Sequence, residues 1–324
     1  MRYVSRNRPF VIRKGAEEWK ARKMWNAKYL EQVMGNQLVN VAMTPLGNAD
    51  SVVEVEDRDL LFVKPYETEE PFETVLRKIQ EQELNLNTAK EPTRYAQTQN
   101  DNLRNEYVSL FADCPTTIPF ARITLEQDPD AINFWLGNSH STTALHKDNY
   151  ENIYVQILGQ KHFVLLPPVE SACVNEKRVV SATYVPQRSA GDQVSMDCKN
   201  DVEEELRAED LVISIDVPEE RVPFATWDPD DLQNNSTRFS KLSRPLRVTL
   251  GEGDMLYLPA LWYHKVSQSC SPEGICCAVN YWYDLDFAGS FWPLCSFSRS
   301  VGLLASGKGS IGEEQSQNDV GDEV

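Results

Sequence analysis

The run from Asn133 to Pro168, NFWLGNSHSTTALHKDNYENIYVQILGQKHFVLLPP, admits few folds. It is dense in β-branched and aromatic residues, punctuated by polar breaks, and stopped by Pro167-Pro168, the pattern of successive β-strands. Asn152 to Leu158 and Lys161 to Leu166 flank Gly159-Gln160, which predicts a β-hairpin with a two-residue turn. Such a turn pairs Leu158 with Lys161 and sets Lys161 on the face of Asn152, Tyr154 and Gln156. If the strand runs without a bulge from His146, that face also carries His146 and Asp148.

Side chains two apart on a strand share a face, so the His146 imidazole and the Asp148 carboxylate can converge. His264 stands far downstream in a second strand-like run, MLYLPALWYHKV. Two histidines and a carboxylate form the ligand set of a mononuclear non-haem iron site, which keeps positions open for co-substrate and dioxygen. Hydrogen-bonded core histidines show the same spacing, and spacing alone leaves both readings open. Of the other two histidines, His140 sits in a polar loop and His162 has the opposite strand parity to Lys161. A lysine facing into a small barrel is costly to bury unless paired, and a dicarboxylate would pair it. The alternative is an exposed hairpin edge, a common place for lysine.

At 324 residues one all-β barrel with added helices fits the length. A net charge of −17 argues against nucleic-acid backbones and anionic membranes, and permits a basic partner. The seven cysteines are scattered, with neither a disulfide framework nor a zinc spacing. MRYVSRNRPFVIRKG has no apolar signal core, and no run reaches membrane-spanning length. The expected compartment is therefore reducing: cytoplasm, with the nucleus also open.

RPFVIR reads as a strand, Ala16 to Met34 as one or two short helices, Val39 to Met43 and Asp59 to Val63 as strands, and Pro71 to Leu84 as an amphipathic helix. RYAQTQ is a weak strand, and Leu103 to Phe111 a short helix. From Asp192 to Asp231 fourteen acidic residues face only Lys199, Arg207 and Arg221; poor periodicity there predicts a long, partly mobile insertion. Leu246–Leu250, Met255–Leu258, Trp262–Ser267 and Ile275–Tyr283 are closing strands. Phe287 to Leu304 is apolar enough for a helix, packed on its own barrel or serving as a homodimer contact. The tail from Ser306 reads as disordered and acidic.

The blocks DAINFWLG, TALHKDNYENIYVQILGQKHF, GDMLYLPALWYHKV and AVNYWYD, with RPFVIRKGAEEWKA and VNVAMTPLGNAD upstream, resemble the JmjC-type cupin barrels of the iron and 2-oxoglutarate oxygenases. The likeness runs from Arg8 to Asp284 and is closest to small JmjC-only lysyl hydroxylases. It implies a mainly β fold, a double-stranded β-helix of cupin or jelly-roll type with flanking N-terminal and C-terminal helices. The implied division is 1–100 packed on the barrel, 101–290 as the barrel with the acidic insertion 170–244, and 291–324 as a C-terminal segment and tail. It further implies Fe(II) on His146, Asp148 and His264, with 2-oxoglutarate and O2 as co-substrates. Lys161 matches the residue that grips the distal carboxylate, and Thr143, Asn152 and Tyr95 match further co-substrate contacts. Asn280 and Trp282 match pocket-lining residues, though wall packing explains them equally. The implied reaction is C3 hydroxylation of a protein lysine, in a GTPase of the developmentally regulated class. The same core chemistry would serve a methyl-lysine or methyl-arginine demethylase. A histone-tail peptidase and a non-enzymatic cupin binding protein are further alternatives. Set against the resemblance, the expectation is a chain that starts later than the family pattern, short of its N-terminal helical part, and carries a longer acidic insertion.

Overall fold

Strand β1 (Phe10–Ile12) precedes helices α1 (Lys20–Met24) and α2 (Ala27–Met34) in this computed structural model, which describes residues 3–56, 58–84, 91–99, 101–187 and 206–308. Helix α2 starts where the Asn26 side chain accepts the Tyr29 N–H at 2.9 Å, a polar N-cap. Strands β2 (Leu38–Thr44), β3 (Ser51–Val55), β4 (Arg58–Lys64) and β5 (Tyr66–Pro71) lead into α3 (Phe72–Leu84). Phe72, Val75, Leu76 and Ile79 of α3 are buried, as its period predicts. Next come β6 (Thr93–Tyr95), α4 (Val108–Phe111), α5 (Pro119–Leu125), β7 (Ala131–Gly137), β8 (Thr143–His146), β9 (Tyr150–Leu158) and β10 (Gln160–Leu166). The chain continues through β11 (Lys177–Pro186), β12 (Leu211–Ile215), β13 (Arg221–Phe224), β14 (Leu246–Leu250), β15 (Met255–Leu258), β16 (Tyr263–Ser269), β17 (Cys276–Asp284) and α6 (Phe291–Ala305). No helix of the described residues is long and apolar enough to cross a membrane.

Two antiparallel sheets form the centre, one ordered β1-β15-β9-β17-β7 and the other β14-β10-β16-β8. This is the mainly β jelly roll that the sequence implied. Trp135, Tyr154, Leu256 and Trp282 from the first sheet meet Phe163, Leu165, Leu250 and Val266 from the second in one buried cluster. The outer face of the five-stranded sheet packs on the N-terminal helices through Ile132, Phe134, Trp25, Leu30 and Met34. The outer face of the four-stranded sheet is covered through Leu145, Val164, Leu166, Trp227 and Tyr263.

Three expectations change. The predicted hairpin does not form: β9 pairs with β15 and β17, and β10 with β14 and β16. Both strands are interior, so neither edge is left for the other. Gly159, at φ +71, turns the chain from one sheet to the other, and a Cβ there would lie 2.5 Å from the Ser269 carbonyl. A corner and a tight turn share that local signature. Nor does one strand run unbroken from His146, because β8 ends there and β9 begins at Tyr150 in the other sheet.

The acidic stretch is also more ordered than its composition suggested. Over the described residues, β12 and β13 pair with successive parts of one edge of β11, whose other edge pairs in parallel with β4 and so joins β3. Residues 188–205 of that stretch, and the tail from 309, lie outside the described residues. The N-terminal part contributes a strand to the jelly roll itself, since β1 pairs with β15. Helix α6 docks against the turn at Pro168–Cys173: Gly302 sits where a Cβ would lie 3.2 Å from Ala172, and Arg299 Nε bonds Glu176 at 2.9 and 3.0 Å.

Candidate metal and co-substrate site

His146 and His264 are directly opposite each other on β8 and β16, and paired residues of antiparallel strands share a face. Their rings stand 4.1 Å apart between centroids. Asp148, just beyond β8, reaches back between them: its carboxylate oxygens lie 3.8 Å from His146 Nε2 and 3.5 Å from His264 Nε2. One ligand atom from each of the three falls within 4.8 Å of the others.

Each histidine is oriented by its other nitrogen. His146 Nδ1 is 2.8 Å from the Ala144 carbonyl and His264 Nδ1 is 3.1 Å from the Trp262 carbonyl. A carbonyl only accepts, so Nδ1 carries the proton in each ring and Nε2 keeps a lone pair facing Asp148. Burial, reinforced by the neighbouring His146, lowers the His264 pKa to about 4 against the partial opposition of Asp148. His264 is thus neutral near pH 7. Two imidazole Nε2 atoms and one carboxylate on one side of a point fit a divalent first-row metal with open positions opposite.

Thr143 lies three residues before His146, an odd spacing that would normally face it away. The register places His264 opposite His146 but Val266 opposite Thr143, so one extra residue is bulged out of β8. The bulge restores parity and brings Thr143 onto the inner face with His146.

Lys161 is 3% exposed and points inward with Phe163 and Leu165 of the same strand. The reason differs from the hairpin argument: Lys161 stands opposite Gln268 on β16, which shares the parity of His264. Its Nζ donates to the Tyr95 hydroxyl at 2.7 Å. Burial raises the Tyr95 phenol, so it stays protonated and offers only a neutral oxygen. Among the described residues no carboxylate forms an ion pair with Lys161. A buried ammonium without an anion marks a place for one. Tyr95 reaches it because Gly137 leaves room: a Cβ there would lie 2.5 Å from the Tyr95 ring.

Asn152 and Asn280 face the same interior. Asn280 Nδ2 donates to Asn152 Oδ1 at 3.2 Å, and Trp135 Nε1 donates to Asn280 Oδ1 at 2.8 Å. Trp282 stacks on Tyr150 at 4.9 Å with 7° between planes. His140 lies exposed in a turn, and His162 bonds Thr249 and Ser269 by its two nitrogens, away from the triad. Trp135, Gln268 and Asn133 were not singled out in the sequence. Asn133, fully buried on the strand of Trp135, carried a readable signal: a lone amide in an apolar run.

The cupin-like domain model matches residues 1–289. The chain is 35% identical over 307 residues to the human "Bifunctional peptidase and (3S)-lysyl hydroxylase JMJD7", covering 93% of this chain and 86% of that protein. It is 32% identical over 293 residues to "Lysine-specific demethylase JMJ32" of Arabidopsis thaliana, covering 88% and 78%. It is 31% identical over 298 residues to "JmjC domain-containing protein E" of Dictyostelium discoideum, covering 88% and 80%. The chain is a JmjC protein of the cupin-like family. As a JmjC oxygenase it belongs with enzymes that use Fe(II) and 2-oxoglutarate, and its His-Asp-His cluster has the donor set such enzymes require.

Proposed function

We propose that this JmjC protein is an Fe(II)- and 2-oxoglutarate-dependent protein hydroxylase that hydroxylates lysine at C3, in a GTPase of the developmentally regulated class. One observation carries the co-substrate reading: a buried Lys161, with no carboxylate partner among the described residues, on the same inner sheet face as His146 and His264, on which Asp148 converges. The lysyl reading draws on the human relative's name. A chain of charge −17 would also steer a lysine-rich segment toward itself.

His146, Asp148 and His264 would hold the metal through Nε2, a carboxylate oxygen and Nε2. Lys161, with Tyr95 and Thr143, would receive the distal carboxylate of 2-oxoglutarate, while Asn152 and Asn280 offer amide groups beside it. Phe163, Leu165, Val266 and Trp135 keep water from the interior. Tyr150 and Trp282 stack into a flat wall for the substrate side chain. When bound, iron(II), 2-oxoglutarate and dioxygen supply C–H hydroxylation coupled to oxidative decarboxylation to succinate.

The test is incubation with Fe(II), 2-oxoglutarate and candidate GTPases, followed by mass spectrometry. A lysine gaining one oxygen supports the proposal. Lysine-to-alanine peptides turned over equally well would defeat it. The Arabidopsis relative's name favours a second reading, demethylation of methyl-lysine; release of formaldehyde would distinguish it. A second copy of this chain suits α6, where Leu294, Phe297, Val301 and Leu304 are exposed at helical spacing.

A further inference from the structure

We infer that Asp50 is the specificity residue for the charged end of the substrate side chain, its carboxylate receiving the ε-ammonium of the target lysine. This rests on the lysyl reading above. The turn before β3 is pinned against the segment that leads into β8. The Thr142 N–H donates to the Gly47 carbonyl at 2.8 Å, and Gly47 packs so closely on His140 that a Cβ would overlap its carbonyl oxygen. Ser51 Oγ closes the turn on the Asn48 carbonyl at 2.7 Å. Asp50 itself stands at φ +51, a left-handed conformation unfavourable for most residues and best tolerated by Asn and Asp. Such conformations persist where surrounding structure enforces them, often at ligand sites.

The carboxylate is half-buried, yet it has no ion pair among the described residues. Among the described residues its hydrogen-bond partner is neutral and distant: Gln97 Nε2 donates to Oδ2 at 3.4 Å. Burial raises its pKa, and the neighbouring Glu67 raises it further. Strand β3, which follows Asp50, packs against β8, the strand that ends at His146. Lys64, the nearby cation, is already engaged with Asp216 at 2.9 Å. Lys161 thus bonds Tyr95, Gln97 two residues further on bonds Asp50, and the strand that follows Asp50 packs against the one that ends at His146.

The chemistry selects an ammonium. Asp50 offers two anionic acceptor oxygens, the Gln97 amide oxygen is a third acceptor close by, and Glu67 adds negative potential. An ammonium carries three donors and one charge. A neutral side chain of equal length would leave the carboxylate desolvated and unmatched, which is how a polar subsite rejects an apolar analogue.

The experiment uses the full chain loaded with Mn(II) and 2-oxoglutarate. The probes are acetyl-Gly-Lys-Gly-amide and its norleucine twin, and the readout is paramagnetic relaxation of their side-chain protons. Wild type is expected to relax the lysine probe at concentrations about 30-fold or more below those the norleucine probe needs. Asp50→Asn should remove that difference while keeping 2-oxoglutarate affinity and thermal midpoint, and Asp50→Glu should restore part of it. A purely structural role would weaken both probes alike and leave their ratio intact, which overturns the inference. Equal relaxation of the two probes by wild type also overturns it. Failure of the lysyl reading shows separately, as absence of a hydroxylated lysine in the mass-spectrometric assay.

Discussion

Lys161→Met keeps the length of the side chain and removes its charge. At roughly 3 Å and an effective dielectric of about 20, an ammonium–carboxylate pair gains about 5 kcal/mol before desolvation. Removing one partner of a buried, hydrogen-bonded charge pair costs about 2–5 kcal/mol. The affinity for 2-oxoglutarate should therefore fall about 30-fold at the least. Stability of the ligand-free protein should move the other way. Without a dicarboxylate the Lys161 ammonium has only the Tyr95 oxygen at 2.7 Å, and an apolar replacement of a poorly compensated buried charge stabilises by about 1–3 kcal/mol. The orphaned Tyr95 hydroxyl offsets about 1 kcal/mol of this, so the cleaner variant is Lys161→Met with Tyr95→Phe. Its thermal midpoint should rise by about 2–6 °C. Calorimetry with Mn(II) in place of iron measures the affinity, and differential scanning fluorimetry the midpoint. A variant that binds 2-oxoglutarate as wild type does, or that melts several degrees lower, would refute the argument that this ammonium awaits an anion.

Gly137→Ala should weaken 2-oxoglutarate binding about tenfold, because the new methyl group lands on the Tyr95 ring and displaces the phenol from Lys161; added phenylalanine at Tyr95 should make the defect smaller, read by the same calorimetry. His264→Ala should reduce Mn(II) affinity about 100-fold or more, since it removes one of three protein ligands; titration followed by electron paramagnetic resonance checks it. The metal-free protein should lose stability as pH falls from about 6.5 to about 4. The unfolded chain protonates His264 near pH 6.5 and the folded chain only near 4, so the unfolded state binds more protons in that window. Urea midpoints across that range test this, and a flat profile would contradict it. Phe297→Glu should leave a monomer if α6 joins two copies through its exposed stripe, as light scattering would report.

The strand content, the α3 helix and the pair His146 and Asp148 were legible because each depends on local spacing. His264 needed more: it meets His146 only through the β8–β16 pairing, which no short pattern encodes. Lys161 was expected to face inward on the strength of a hairpin that does not exist; the residue faces inward because β10 lies between β14 and β16. Thr143 faces the site only by virtue of a bulge, and nothing in the letters TTALH announces one. The sheet built on β11 was hidden for a different reason. Its parallel partner β4 lies more than a hundred residues earlier, and acidic composition masked β12 and β13, which follow β11.

The two walls of the jelly roll divide their work unevenly. The four-stranded sheet carries His146, His264, Thr143 and Lys161, every basic group of the site. The five-stranded sheet opposite presents neutral amides and indoles, Asn133, Trp135, Asn152, Asn280 and Trp282. Substitutions across that second wall can therefore reshape the chamber, and with it the choice of guest, while the reactive apparatus on the facing sheet keeps its charges in place.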